Sequence, residues 1–236
     1  MTWIKICGIT NLGDALAAAD AGADAVGFVF YEKSPRRITP DRAKEIIEQL
    51  PKKIEKVGVF VDLEQEDFPK IAEEVGLTTI QCRLRSQNRK SANGRGRFPR
   101  SLKMLMTLSA TRLIENDSRL QALTADFLRI ADSPKPPSGF DTFLLDSSAP
   151  EQPGGTGRTF EWQRIAPLVQ VMNKSVKVVV AGGLTPENVT EAMRILRPWG
   201  VDVSSGVEAA PGRKDAEKVR AFVRAVRVVD GAAVRK

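Results

Sequence analysis

The chain has 236 residues, 42% of them hydrophobic and 28% charged, with two cysteines, no histidine and a formal charge of +7. That length fits one large α/β domain better than two small ones. Two cysteines are too few for a disulfide framework, and without histidine they fall short of the usual zinc ligand sets. Any acid–base chemistry must therefore come from carboxylates, Cys, Lys or Tyr. No apolar run reaches the length of a membrane span and no basic-then-apolar leader opens the chain, so a cytoplasmic protein without membrane contact is expected.

Strand-sized apolar runs alternate with helical patterns, the signature of parallel βαβ units. The first strand is read at 3–7, followed by a helix that Asn11 can cap and that presents Ala15, Leu16 and Ala19. A buried strand follows at 23–30, then a helix at 40–50 with Thr39 as its cap, a strand at 56–61, a helix at 67–75 ended by Gly76, and a strand at 77–81. From 82 to 101 neither period survives, which reads as a loop or a poorly formed helix. A strand resumes at 102–108, a helix at 117–130, and a strand over 142–145 delivers Asp146 at its C-terminal end. After the glycines at 154, 155 and 157 come a helix at 160–172, a strand at 176–180 running into Gly182 and Gly183, and a helix at 186–196. A strand at 201–203 leads into Ser204, Ser205 and Gly206, and a closing helix covers 216–226. The expected fold is a single-domain (β/α)8 TIM barrel over 1–228 with an irregular fourth βα unit and a C-terminal tail at 229–236. A doubly wound open sheet is the competing architecture.

The positive charge is local. Eight basic residues and no acidic ones lie between Arg83 and Lys103, and without them the formal charge of +7 becomes −1. A nucleic-acid-binding role for this stretch is disfavoured, because Phe98 alone supplies an aromatic face within it. No nucleic-acid partner is expected.

In a barrel, strand C-termini converge on one face. Cys7 ends strand one, with Lys5 two residues back on the same side of the strand and able to favour the thiolate. By itself a free cysteine is more often a small buried hydrophobe. Asp146 ends strand six, where a turn role competes with a catalytic one. Arg36 lies in the loop after strand two, able to clamp a carboxylate if it is not simply a solvated surface residue. Glycines after strands seven and eight let backbone N–H groups approach a phosphate, or else form tight turns; on adjacent strands they favour phosphate.

These residues resemble a known family. Lys5-Ile6-Cys7-Gly8-Ile9-Thr10, the run Gly22 to Phe30, Ser34-Pro35-Arg36, Leu145-Asp146, Gly154-Gly155-Thr156-Gly157 with Phe160-Glu161-Trp162, Ala181-Gly182-Gly183-Leu184 with Pro186-Glu187-Asn188-Val189, and the run Val201 to Glu208 are similar to phosphoribosylanthranilate isomerases. The likeness spans roughly 1–81 and 141–228. It implies the Amadori rearrangement of N-(5-phosphoribosyl)anthranilate in tryptophan biosynthesis, without a cofactor, by a monomer or homodimer acting on a small phosphosugar substrate. It further implies Asp146 as the acid that opens the ring, Cys7 as the base at sugar C2, and Arg36 on the anthranilate carboxylate. The backbones of Gly182, Gly183, Ser205 and Gly206 would take the phosphate. The competing enzymatic reading is a barrel for a different phosphosugar. The family's Leu-His-Gly after strand four is missing, for Gln81 runs into Cys82-Arg83-Leu84-Arg85-Ser86. A shifted reading frame over 82–101 would produce such a departure, and the gene's nucleotide sequence decides it.

Overall fold

The computed structural model describes residues 1–61, 68–83, 102–131, 142–147 and 159–234. β1 (Trp3–Cys7) pairs in parallel with β2 (Ala25–Val29), which pairs with β3 (Glu55–Phe60) and so on through β4 (Thr79–Arg83), β5 (Lys103–Ser109) and β6 (Thr142–Asp146). β7 (Lys177–Val180) and β8 (Gly200–Val203) complete the order, and β8 returns to β1 to close an eight-stranded barrel. The open-sheet alternative is excluded by that closure.

Alternation along each strand divides the core in two. Ile4, Ile6, Val26, Phe28, Ile80, Met106, Leu145, Val178 and Val201 face outward into the layer beneath the helices. Inside, Leu105, Leu144, Val179 and Ala181 form a small apolar plug with Trp3 and Trp199, whose rings stack 5.5 Å apart. The odd positions of β1 carry Trp3, Lys5 and Cys7 on one side, so the interior turns polar toward the strand C-termini.

The surrounding helices form where their caps place them. Asn11 accepts from the Asp14 N–H to start α1 (Leu12–Ala21), and Gly22 ends it in the left-handed conformation. Thr39 caps α2 (Pro40–Ile47), and α3 (Phe68–Val75) stops at Gly76 as expected. Two helices, α4 (Ala110–Ile114) and α5 (Asp117–Ala131), follow β5, and α6 (Trp162–Met172) follows β6. α7 (Val189–Leu196) begins later than its proline implied. Thr185 to Asn188 instead form a turn in which the Asn188 side chain accepts from the Thr185 N–H.

Three boundaries differ in ways that bear on function. Cys82 belongs to β4, not to a loop: it is 1% exposed and its sulfur lies 3.5 Å from that of Met106. Burial pushes its thiol up to about 12. Residues 84–101, and with them the expected irregular fourth unit, lie outside the described residues, as do the glycines at 154, 155 and 157. After β8 a single 3-10 turn (Ser205–Val207) leads into a two-stranded hairpin, β9 (Glu208–Ala210) with β10 (Arg213–Lys214), which sequence patterning did not indicate. Finally, α8 (Ala216–Val234) runs well past 226, so the supposed tail begins as helix. Asp230 in that extension accepts hydrogen bonds from the Thr2 N–H and hydroxyl, tying the last helix to the approach of β1.

Candidate active site

The strand C-termini and the described loops after them line a partly open cavity of about 520 Å³. Cys7, Arg36, Asp146, Gly182, Gly183 and Ser205 all line it. Gly206 does not; it sits against the β7 loop, where a Cβ would fall 1.9 Å from the Leu184 carbonyl oxygen. Its lack of a side chain is what allows the β8 turn to lie on its neighbour.

Cys7 reaches the cavity because its β2 partner is Gly27. A Cβ on Gly27 would stand 2.8 Å from the Cys7 sulfur. The Ser204 hydroxyl donates to the Cys7 carbonyl oxygen at 3.0 Å, tying the ends of β1 and β8 together. Lys5, beneath Cys7, is fully buried and lies 2.9 Å from Asp202, its register partner on β8. A buried cation of this kind is tolerable only with such a counter-ion.

These charges set the ionisation of the thiol. Burial pushes Cys7 above its ordinary 9.0; Lys5 and Lys214 work against that rise and Asp202 adds to it. Lys5 does favour the thiolate, as its spacing implied, but desolvation wins. Burial by itself would lower Lys5, yet Asp202 and Cys7 together hold it above its ordinary value.

Asp146 is 9% exposed and occupies the last position of β6, opposite Ser109 of β5. Gly182 makes room beside it. Its φ of +89° is left-handed, and a Cβ there would meet the Ser147 backbone nitrogen at 2.6 Å. The β7 turn is thus pressed against the residue that follows Asp146.

Arg36 is not a solvated surface residue, at 9% exposed. Its Nε and Nη2 both donate to Glu208, at 2.8 Å each. Lys214, from the hairpin, donates to the same carboxylate at 2.8 Å and to the Ser204 carbonyl oxygen at 3.2 Å. Glu208, Lys214 and Asp202 had no role assigned from sequence. For Asp202 a signal existed, since a carboxylate within the apolar run Val201-Asp202-Val203 requires a buried partner. For Lys214 none did. Gln81 also lines the cavity with its Oε1 buried and, among the described residues, without a hydrogen-bond partner.

Fold and site together define the class: a (β/α)8 barrel enzyme with acid–base side chains and a glycine rim at the C-terminal end of its strands. A family model for N-(5'-phosphoribosyl)anthranilate (PRA) isomerase matches residues 4–100 and 125–225. The N-(5'-phosphoribosyl)anthranilate isomerase of Pelobacter propionicus is 43% identical over 224 residues, 95% of each chain. That of Chlorobaculum parvum is 40% identical over 230 residues, 98% of this chain and 97% of its own. The crystal structure of the Thermotoga maritima phosphoribosyl anthranilate isomerase superposes with a TM-score of 0.76 at 36% identity, covering 97% of this chain and 100% of that one. A phosphoribosyl anthranilate isomerase in complex with reduced 1-(o-carboxyphenylamino)-1-deoxyribulose 5-phosphate superposes with a TM-score of 0.74 at 34% identity, with the same coverage.

The chain belongs to the phosphoribosylanthranilate isomerase family, the isomerases of tryptophan biosynthesis. The match is wider than the motifs alone implied, for it runs on through residue 100 and resumes at 125.

Proposed function

We propose that the cavity performs the Amadori rearrangement with Asp146 as general acid and Cys7 as general base. The supporting observation is that the same cavity is lined by both groups, by Arg36 and by Gly182 and Gly183 of the rim. The protonated Asp146 carboxyl gives its proton to the furanose ring oxygen as the C1–O bond breaks, and the nitrogen lone pair forms the C=N bond of a Schiff base. The Cys7 thiolate removes the C2 proton, and the C2–H electrons form C1=C2 while the C=N π electrons return to nitrogen. The enolamine so formed takes a proton at C1 and loses one from the C2 hydroxyl to give the ketose. Protons are only relayed, so no cofactor is called for.

Arg36 takes the anthranilate carboxylate, and the backbones of Gly182, Gly183 and Ser205 take the phosphate, with Gly206 letting the β8 turn lie close behind them. A phosphosugar ligand fits the related structure that holds reduced 1-(o-carboxyphenylamino)-1-deoxyribulose 5-phosphate. A cytoplasmic location suits a biosynthetic isomerase of this family; no described helix is long and apolar enough to cross a membrane. For assembly, a homodimer is supported by the dimeric Thermotoga maritima relative.

The test replaces the two groups separately. Cys7→Ser and Asp146→Asn are each expected to lower kcat by about 10²–10⁴-fold, with little change in KM because the carboxylate and phosphate contacts remain. Turnover that survives both replacements would exclude this mechanism.

A further inference from the structure

Arg36 reaches the cavity through a chain of restraints that begins in the hairpin. Its stem lies flat across Gly8, where a Cβ would stand 2.6 Å from the Arg36 Cδ. Its own N–H donates to the Ser34 hydroxyl at 3.1 Å. Its guanidinium is then gripped from the side, through Nε and Nη2, by Glu208. Glu208 is itself fixed: Oε1 accepts from Lys214 at 2.8 Å and from the Gly212 N–H at 3.3 Å. The hairpin does not float, because the Gly212 carbonyl oxygen accepts from the Thr10 hydroxyl at 2.5 Å and the Lys214 N–H donates to Asp14 at 2.7 Å.

Arginine has five N–H donors in a rigid fork. A grip through Nε and Nη2 uses one donor of each. It leaves Nη1 and the second proton of Nη2, which together form the end-on face that matches a carboxylate bidentately. The charges agree with this geometry. Two cations, Arg36 and Lys214, share one carboxylate, so the cluster keeps a surplus of one positive charge beside the cavity. Glu208 thus fixes the guanidinium without neutralising the site.

We infer that Glu208 is a positioning residue that presets Arg36 for the carboxylate of the substrate's aromatic ring, with the β9–β10 hairpin as its mount. This rests on the reading of Arg36 as the carboxylate clamp. Preorganisation of this kind removes the cost of ordering a long side chain when the ligand arrives. Its loss falls on binding and on recognition of the carboxylate, not on the proton transfers.

The experiment measures KM and kcat for N-(5-phosphoribosyl)anthranilate and for the analogue that carries aniline in place of anthranilate. The unaltered enzyme is expected to favour the carboxylate-bearing substrate through KM, by roughly tenfold or more for one charge-assisted contact. In Glu208→Gln that preference shrinks toward unity, while kcat on saturating substrate and inhibition by inorganic phosphate stay near their original values. Glu208→Asp, which keeps the charge but falls one methylene short of the fork, shrinks it likewise, so the result does not depend on one variant folding. A preference undiminished in the folded variants would overturn the inference while leaving the Arg36 reading intact. An absent preference in the unaltered enzyme, with Arg36→Ala binding both substrates equally well, would overturn that reading and the inference with it.

Discussion

In the proposed rearrangement, a thiol base and a carboxyl acid that share one cavity make a joint demand on protons. The reacting state holds one proton on Asp146 and none on Cys7, so the pair must keep exactly one of its two protons. Turnover falls on the alkaline side only when that proton is also lost. Burial raises Cys7 above 9.0 against the pull of Lys5 and Lys214, and this moves the alkaline fall above 9.0 as well. A kcat/KM profile measured from neutrality upward is therefore expected to hold level to about pH 9 before it declines. A decline already complete at pH 8 would show that the thiol is not the group described. At this scale much of the site was legible from sequence, because Cys7, Asp146 and Arg36 each lie at or just beyond a strand's C-terminal end. What escaped were the side chains that hold them. Glu208 meets Arg36 only through folding, across 172 residues of sequence, and no local pattern announces such a pairing; Lys214 joins them by sharing the Glu208 carboxylate.

The turns after β7 and β8 act as a unit, since each is shaped by close backbone approach to a neighbour. Gly206 is the tightest point, with space for no side chain beside the Leu184 carbonyl. Gly206→Ala is expected to cost ~1–3 kcal/mol of stability, as overpacking does, and to raise KM by displacing the rim. Urea unfolding and steady-state kinetics on the same variant check both effects. An unchanged unfolding midpoint would mean that the turn yields freely. The glycines themselves were visible in sequence, but their reasons were not. Gly182 relieves contact with Ser147, and Gly27 makes way for the Cys7 sulfur; both are cross-strand facts. The hairpin was missed because its strands are too short to show any alternation. The sequence pattern alone places the start of α7 too early, because Pro186 fits a turn as well as a first helical position.

Closure of the barrel brings the chain's two ends together at one place. Asp230 of α8 takes both donors of Thr2 and a bond from Arg227, which also pairs with Asp24 at 3.1 Å. Asp230→Ala is expected to cost ~1–3 kcal/mol, because it leaves donors near β1 without their acceptor. Equilibrium denaturation measures it, and activity at saturating substrate should be retained, since the cluster stands apart from the residues that line the cavity. The eight-unit rhythm made the barrel legible as a whole, for strands buried on both faces read as continuous apolar runs. The expected break at 82 falls too early, since Cys82 belongs to β4 and packs in the outer core; residues 84–101 lie outside the described residues. In sequence, residues 84–101 lie between β4 and the strand beginning at Lys103, whereas the proposed acid, base, clamp and rim all come from elsewhere in the barrel. The proposed groups make a competent isomerase whatever the departure at 82–101. The fluorescence of N-(5-phosphoribosyl)anthranilate, followed as the purified chain consumes it, tests this most directly. Many turnovers per chain are expected. A folded barrel that leaves the substrate unconsumed would show that these groups do not carry the rearrangement.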